Sequence, residues 1–97
     1  MEIKYWMYQP EKMLVVHLPE ERKKDKARIN MLLVSAYITW SNPEEDYDDE
    51  DIIDEIYDSD CAEFIISEAQ KELGYNLEYT IEDNADERDA DYILDAM

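Results

Sequence analysis

An acidic run interrupted by apolar residues constrains the fold of this chain more than any other segment. It spans residues 42–60, NPEEDYDDEDIIDEIYDSD, and from Glu44 to Asp60 it holds 11 carboxylates and no lysine or arginine. A run of like charges without apolar residues would be a solvated tail. Here three isoleucines and two tyrosines lie among the acids: Tyr47, Ile52, Ile53, Ile56 and Tyr57. These apolar side chains indicate that the run folds.

A helix over residues 47–57 would separate the two kinds of side chain. At about 100° per residue, the isoleucines and Tyr57 fall within one arc of roughly 140°. The opposite side carries Glu50, Asp51, Asp54, Glu55 and Asp58. The acids Asp46, Glu50, Asp54 and Asp58 also recur every four residues, a spacing at which like charges cost a few tenths of a kcal/mol per pair. We therefore expect one face on a core and an acidic ladder in solvent.

The length and composition predict a single domain over residues 1–97. The chain is 45% hydrophobic, which separates it from disordered acidic tails, and no apolar run is long enough to span a membrane. Its N-terminus is too polar for a signal peptide. Cys61 is the only cysteine, so an internal disulfide is excluded and a reducing compartment, the cytoplasm, is expected.

The charge is divided unevenly along the chain. Residues 1–42 hold seven basic and five acidic residues, a net of +2, whereas residues 43–97 hold 22 acidic and two basic residues, a net of −20. The total is −18. A domain with this charge repels nucleic acids and membrane surfaces and attracts basic grooves, which most often hold nucleic acid.

The first half predicts a hairpin followed by a helix. Residues 3–8 and 13–18 read as two strands joined by a turn that contains Pro10, with His17 as a half-buried strand residue. We expect one long helix from Pro19 to Asn42, buried in its C-terminal half. The alternative is a loop followed by a central strand, because residues 34–40, VSAYITW, are typical of a strand.

The second half predicts two further helices around a strand. Asp60 and Glu63 have the spacing of a capping box and open a helix that Gly74 ends. Its buried stripe is Ala62, Ile65, Ile66, Ala69 and Leu73, with Phe64 outside it. Residues 75–82 alternate as a half-buried strand, with Tyr75, Leu77, Tyr79 and Ile81 on one face. Asn84 and Glu87 form a second capping box, opening a last helix with Tyr92, Ile93 and Ala96 inward.

These elements predict an α+β domain in the order ββααβα. The N-terminal hairpin and the later strand would form a small antiparallel sheet, packed with three to four helices.

The sequence favours neither catalysis nor a dedicated metal site. One histidine and one cysteine offer no nucleophile set, and carboxylates crowded on an outer face lack the burial that separates the pKa values of an acid–base pair. Asp46, Asp48 and Glu50 match the start of a calcium-binding loop, but Asp51 stands where glycine is needed and Tyr57 where a bidentate glutamate is needed. We expect no enzyme and no cofactor.

The remaining hypothesis is electrostatic mimicry of DNA, in which fixed carboxylates occupy a groove that evolved for phosphates. The candidate partner-binding residues are Asp46, Tyr47, Glu50, Asp51, Asp54, Glu55 and Asp58. A second, weaker patch is Asp86, Asp89 and Asp91. Tyr47 and Tyr57 at the helix edges could serve as interface anchors, although core packing is at least as good an interpretation, especially for Tyr57.

The segments PEEDYDDEDIIDEIYDSD and ADERDADYILDAM, on a short folded domain, resemble the phage-encoded DNA-mimic inhibitors, most of all the anti-CRISPR proteins of the type I-F class. The likeness is one of profile over residues 43–97. It implies a monomer in the cytoplasm of a bacterial host that binds the basic DNA-docking surface of a CRISPR surveillance complex. The net-positive first 42 residues depart from an all-round mimic.

Two other classes remain open. One is a nuclease-neutralising immunity protein or antitoxin, and the other is an acidic module that binds basic proteins without inhibiting them. A mimic competes with duplex DNA and weakens steeply with salt, whereas an immunity protein binds beside one active site through a few desolvated anchors.

Overall fold

Within the described part of the chain, a four-stranded sheet and three α-helices form a small α+β domain. The computed structural model describes residues 1–8, 11–42 and 49–94. The strands are β1 (Glu2–Met7), β2 (Lys12–His17), β3 (Glu78–Glu82) and β4 (Tyr92–Leu94). The helices are α1 (Lys26–Ser41), α2 (Glu50–Asp58) and α3 (Cys61–Leu73), and short 3-10 helices cover Glu20–Asp25 and Glu87–Asp89.

The predicted N-terminal hairpin is confirmed. β1 and β2 pair antiparallel, with Glu2 opposite His17 and Met7 opposite Lys12. Alternation along β1 sends Ile3, Tyr5 and Met7 into the core, and β2 is buried on both faces from Met13 to Val16. The turn residues Gln9 and Pro10 lie outside the described residues.

The sheet is mixed, so the prediction of a purely antiparallel sheet is wrong. Its strand order is β3-β2-β1-β4, and β4 runs parallel to β1, with Tyr5 beside Tyr92 and Met7 beside Leu94. In residues 1–8, 11–42 and 49–94 the order of strands and α-helices is ββαααββ, whereas the sequence predicted ββααβα.

The predicted C-terminal helix is also wrong, and the backbone at Asn84 gives the reason. Asn84 has φ of 59°, in the left-handed region, whereas an N-cap residue needs extended backbone. Asp86 then caps only a 3-10 turn, and the chain extends into β4. Just before the strand, the Asp91 amide donates to the Lys4 carbonyl at 2.8 Å, and the Lys4 amide donates to the Asp91 carboxylate at 3.0 Å. At its end, the Tyr8 amide donates to the Leu94 carbonyl at 3.1 Å. Ala96 lies outside the described residues.

Residues 26–41 form a helix, so the alternative of a central strand is wrong. The buried residues of α1 are Ile29, Leu33, Ala36 and Tyr37, a spacing of three and four that only a helix places on one face. This pattern outweighs the strand preference of the β-branched residues around Tyr37. The helix begins at Lys26, because the preceding Glu20–Asp25 segment is 3-10.

α3 is the main helix of the core. It begins at the predicted cap, where the Asp60 carboxylate accepts a hydrogen bond from the Ala62 amide at 3.0 Å, and it ends at Gly74 with φ of 81°. Phe64, predicted outside the buried stripe, is only 8% exposed. It lines a cavity together with Ile52 and Ile56 of α2, and α3 is therefore buried over a wider arc than one stripe.

β3 begins at Glu78, three residues later than predicted. The register confirms the predicted face, since Tyr79 lies opposite Val16 and Ile81 opposite Leu14, both of which are buried. Tyr79 and Ile81 nevertheless stay 37% and 38% exposed, because β3 is an edge strand. Among the described residues, no helix combines the length and the apolarity needed to cross a membrane.

Candidate protein-binding surface

Helix α2 is held in place by a few specific contacts. The Asp49 carboxylate caps its N-terminus by accepting from the Asp51 amide at 3.0 Å. Ile56, 1% exposed, enters the core. At the C-terminus the Trp40 indole donates to the Ser59 carbonyl at 3.2 Å, which ties the end of α2 to α1. These contacts orient the helix without covering its acidic side.

The acidic side of α2, which we call the acidic face, is exposed along its whole length. Its members are Glu50, Asp51, Asp54, Glu55 and Asp58. No ion pair among the described residues includes any of these five carboxylates. The helix therefore presents unneutralised charge at fixed spacing, as the sequence predicted. Asp46 and Tyr47, the other two candidates of this site, lie outside the described residues.

Three of the five basic residues in segment 22–28 make contacts away from α2. The Arg22 guanidinium stacks on the Tyr75 ring at 3.8 Å from its centroid, and the Lys23 ammonium pairs with Glu20 at 3.0 Å. The Arg28 guanidinium donates to the Glu72 carbonyl at 2.9 Å. Tyr75 in turn donates its hydroxyl to Asp25 at 2.9 Å, and desolvation together with this bond raises the pKa of Tyr75. The positive segment thus anchors its own side of the domain.

The carboxylates of the second predicted patch make more contacts within the fold than those of the acidic face. Arg88 binds the Asp86 carboxylate, with a closest distance of 2.8 Å, and this contact lowers the pKa of Asp86. Asp91 bridges to Lys4 of β1. Asp89 is exposed beside them. Compensation at Asp86 and the structural role of Asp91 leave this patch less charge to offer a partner than the acidic face.

Tyr57 is a candidate contact residue that the sequence had favoured as core. Its side chain is 61% exposed, and Ile52 at the other edge of the apolar arc is 39% exposed. α2 docks through the middle of that arc, at Ile53 and Ile56, so both edges reach solvent. The position of Tyr57 at the end of the apolar arc is consistent with its exposure. The sequence does not show how much of that arc is buried, because this depends on how α2 packs against its neighbours.

His17 is a half-buried strand residue, as predicted. Its Nε2 lies 3.1 Å from the Thr80 hydroxyl, and its Nδ1 lies 3.6 Å from the Glu2 carboxylate. The three side chains come from neighbouring strands of the sheet and form a cross-strand polar ladder. Because Glu2 and Thr80 are exposed, water competes for these contacts. Glu2 and His17 also line a cavity of about 440 Å³.

The described residues contain no group of three or more His, Cys, Asp or Glu side chains placed to hold a metal ion. In the calcium-loop hypothesis, Glu50, Asp51 and Tyr57 would belong to a loop, but all three lie in helix α2. The first loop positions, Asp46 and Asp48, lie outside the described residues.

No protein-family model matches this sequence, and comparisons with curated proteins and with solved structures found no match.

Proposed function

We propose that this chain is an acidic DNA mimic that binds the basic DNA-binding surface of a nucleic-acid-binding protein and blocks access of DNA. The observation that supports it best is the acidic face of α2: five exposed carboxylates without an ion-pair partner among the described residues. Arg22, Lys23 and Arg28 contact residues outside α2, and Lys71 pairs with Glu68, so the charge of α2 is available to a partner.

The physical basis of the proposal is counterion release and preorganisation. A groove lined with lysine and arginine holds condensed anions, and a ligand with fixed negative charges releases them as DNA does. Carboxylates on a capped helix are already in place, so binding does not have to order a flexible tail. Repulsion between Glu50, Asp54 and Asp58 costs stability, which is understandable if the charge serves binding.

The proposed contact residues of α2 are its five exposed acids, together with Asp46 and Tyr47 from the sequence and Tyr57 from its exposure. Asp86, Asp89 and Asp91 are a weaker second patch. We propose a monomer in the bacterial cytoplasm whose target is a basic DNA-binding protein, with a CRISPR surveillance complex as the leading class. The chain would not bind nucleic acid or membranes, because its charge repels both.

The test is release of host proteins from immobilised duplex DNA. A bacterial lysate is loaded on DNA-cellulose, and the purified chain is applied at constant ionic strength. We expect it to elute a specific basic protein that buffer of the same ionic strength does not elute. The affinity of the purified chain for that protein should fall as salt rises, because the contacts are electrostatic. The eluted protein is then tested for duplex binding with and without the chain by fluorescence anisotropy.

The site is tested by changing Glu50, Asp54 and Asp58 together to Lys, which should abolish elution. The matched control changes Glu21, Glu72 and Glu82 to Lys. It alters net charge equally, at exposed positions away from α2. Circular dichroism verifies that both variants fold. Equal elution by the two folded variants would reject the acidic face as the site, and absence of elution by the unmodified chain would reject mimicry.

The same assay separates mimicry from the immunity-protein hypothesis. A mimic raises the apparent Kd of its target for duplex DNA in proportion to its own concentration. An immunity protein instead blocks cleavage, and its binding depends on a few anchors and weakly on salt.

A further inference from the structure

A groove between α2 and α3 combines an apolar floor with an acidic rim. Its volume is about 290 Å³. The floor is formed by Ile52 and Ile56 of α2 and Phe64 of α3, and the rim carries Glu55 of α2 with Glu63 and Glu68 of α3. We call it the α2–α3 groove. It adjoins the acidic face through Glu55, which belongs to both.

The floor of the groove is open to solvent at one side. Ile56 and Phe64 are 1% and 8% exposed, but Ile52 is 39% exposed. Small-molecule sites typically enclose roughly 300–1,000 Å³, so this volume lies at the lower limit of that range. The groove is therefore sized for one long side chain rather than for a whole ligand.

The rim carboxylates differ in whether they have an ion-pair partner. Glu68 pairs with Lys71 at 3.3 Å, and Lys71 also lines the groove. Glu55 and Glu63 have no ion-pair partner among the described residues. The unpaired carboxylates of the rim therefore favour a positively charged group, whereas the floor favours an apolar one. A cationic side chain with an apolar stem meets both requirements.

We propose that the α2–α3 groove receives an arginine side chain of the partner, an inference that rests on the proposed function. The methylene stem packs on Ile52 and Phe64, and the guanidinium donates hydrogen bonds to the rim carboxylates. Arginine fits better than lysine because its planar head pairs with carboxylates in a fixed fork and is more weakly hydrated. The groove supplies a positional anchor that a row of charges alone lacks.

Substitutions of Lys71 and of Glu63 should change the affinity of the groove for arginine in opposite directions. Its ammonium occupies the rim beside Glu68 and competes with an incoming cation. Removing it with Lys71→Gln should strengthen binding of arginine, whereas Glu63→Gln should weaken it about fivefold, the upper range for an exposed ion pair. The matched control is Glu72→Gln, which removes one charge from the same helix outside the groove.

The probe is N-acetyl-arginine amide, titrated into the 15N-labelled chain at about 150 mM salt, where long-range attraction is largely screened. We expect saturable amide shifts centred on Ile52, Ser59 and Ser67, with weaker binding of N-acetyl-lysine amide. Glu72→Gln should leave the affinity unchanged.

Two results would overturn the proposal: shifts spread evenly over the exposed acids, or equal affinity losses for Glu63→Gln and Glu72→Gln. Failure here is separable from failure of the mimicry proposal. If Glu63→Gln still elutes the target from DNA-cellulose as the unmodified chain does, the groove is wrong and mimicry stands. If arginine amide binds the groove and the chain elutes nothing, mimicry is wrong and the groove stands.

Discussion

Helices α2 and α3 begin with the same local structure and serve different purposes. Each starts after an aspartate whose side chain accepts a hydrogen bond from the amide two residues on, Asp49 from Asp51 and Asp60 from Ala62, both at 3.0 Å. α3 then buries six residues and α2 buries one, Ile56. The start of a helix is thus a local matter, whereas its share of the core depends on the elements around it.

The charges of the two helices follow from this difference. α3 contributes an acid–base pair, Glu68 with Lys71, at the rim of the α2–α3 groove. α2 contributes five exposed acids and no basic residue. A helix that buries little is free to vary on most of its surface, and here that surface is acidic. α3 therefore stabilises the domain, whereas α2 contributes little to the core and is held in place by the rest of the domain.

The largest expected effect concerns the thiol at the start of α3. Cys61 is 2% exposed, and burial, with a smaller contribution from Asp60, raises its pKa to about 12. Relative to a free thiol of pKa about 8.5, the thiolate at pH 8 is depleted roughly a thousandfold. We expect Ellman's reagent to react with native Cys61 slower than with the urea-unfolded chain by at least that factor.

The matched probe for α2 is Glu50→Cys in a Cys61→Ser background, at the same position after the capping aspartate. Glu50 is exposed, so this thiol should react near the rate of the unfolded chain. Similar protection of the two thiols would contradict the contrast between the helices.

The next effect compares one buried isoleucine from each helix. Ile65→Ala in α3 removes a fully buried side chain and should lower the free energy of unfolding by about 2–5 kcal/mol. Ile56→Ala should instead release α2, so its amides lose hydrogen-exchange protection while those of β1 and β2 keep theirs. Urea denaturation and hydrogen exchange measure the two outcomes. An equal fall in the urea midpoint for both would place α2 in the cooperative core.

The capping aspartates should give a smaller effect of the same kind. Asp60→Ala should cost about 1 kcal/mol of global stability, because α3 cannot fray without opening the core. Asp49→Ala loses the same bond, but we expect the loss to appear as fraying of α2, with a smaller change in the midpoint of thermal unfolding. Asn at either position should restore most of the loss, which isolates the capping bond.

The smallest effect is a gain of stability on the acidic face. Asp54→Asn removes two repulsive four-residue pairs, with Glu50 and with Asp58. Each pair is worth about 0.2–0.5 kcal/mol, so a gain of up to about 1 kcal/mol is expected at low salt, and it should shrink at high salt. Asp89→Asn, an exposed change outside the α-helices, is the control. A loss of stability in Asp54→Asn would indicate an unrecognised role of Asp54 in the fold.

Prediction from sequence succeeded for elements whose structure depends only on residues close to one another in the sequence. The hairpin, α3 with its cap and Gly74, and the two-sided character of α2 all follow from spacing and from local hydrogen bonds. The helix at 26–41 was harder to predict, because its residues also suit a strand. The structure decides between the two, since Ile29, Leu33 and Tyr37 are buried on one face of a helix.

Prediction failed where the structure of one segment depends on its pairing with a segment that is distant in the sequence. Residues 84–87 have the letters of a capping box, but the left-handed backbone of Asn84 forbids that cap. The following residues gain more by pairing with β1, where Leu94 becomes buried and Tyr92 stacks on Tyr5 at 5.5 Å. The free edge of β1 is not visible in the local sequence.

The sequence by itself determined the acidic face, because helical periodicity and charge spacing are properties of nearby residues. It also determined that basic residues would be scarce beyond residue 42. The tertiary structure alone decided that Arg22, Lys23 and Arg28 bind elsewhere, that Tyr57 reaches solvent, and that Glu55 and Glu63 border one groove. Those facts depend on how α1, α2 and α3 pack, and packing joins residues that no local pattern relates.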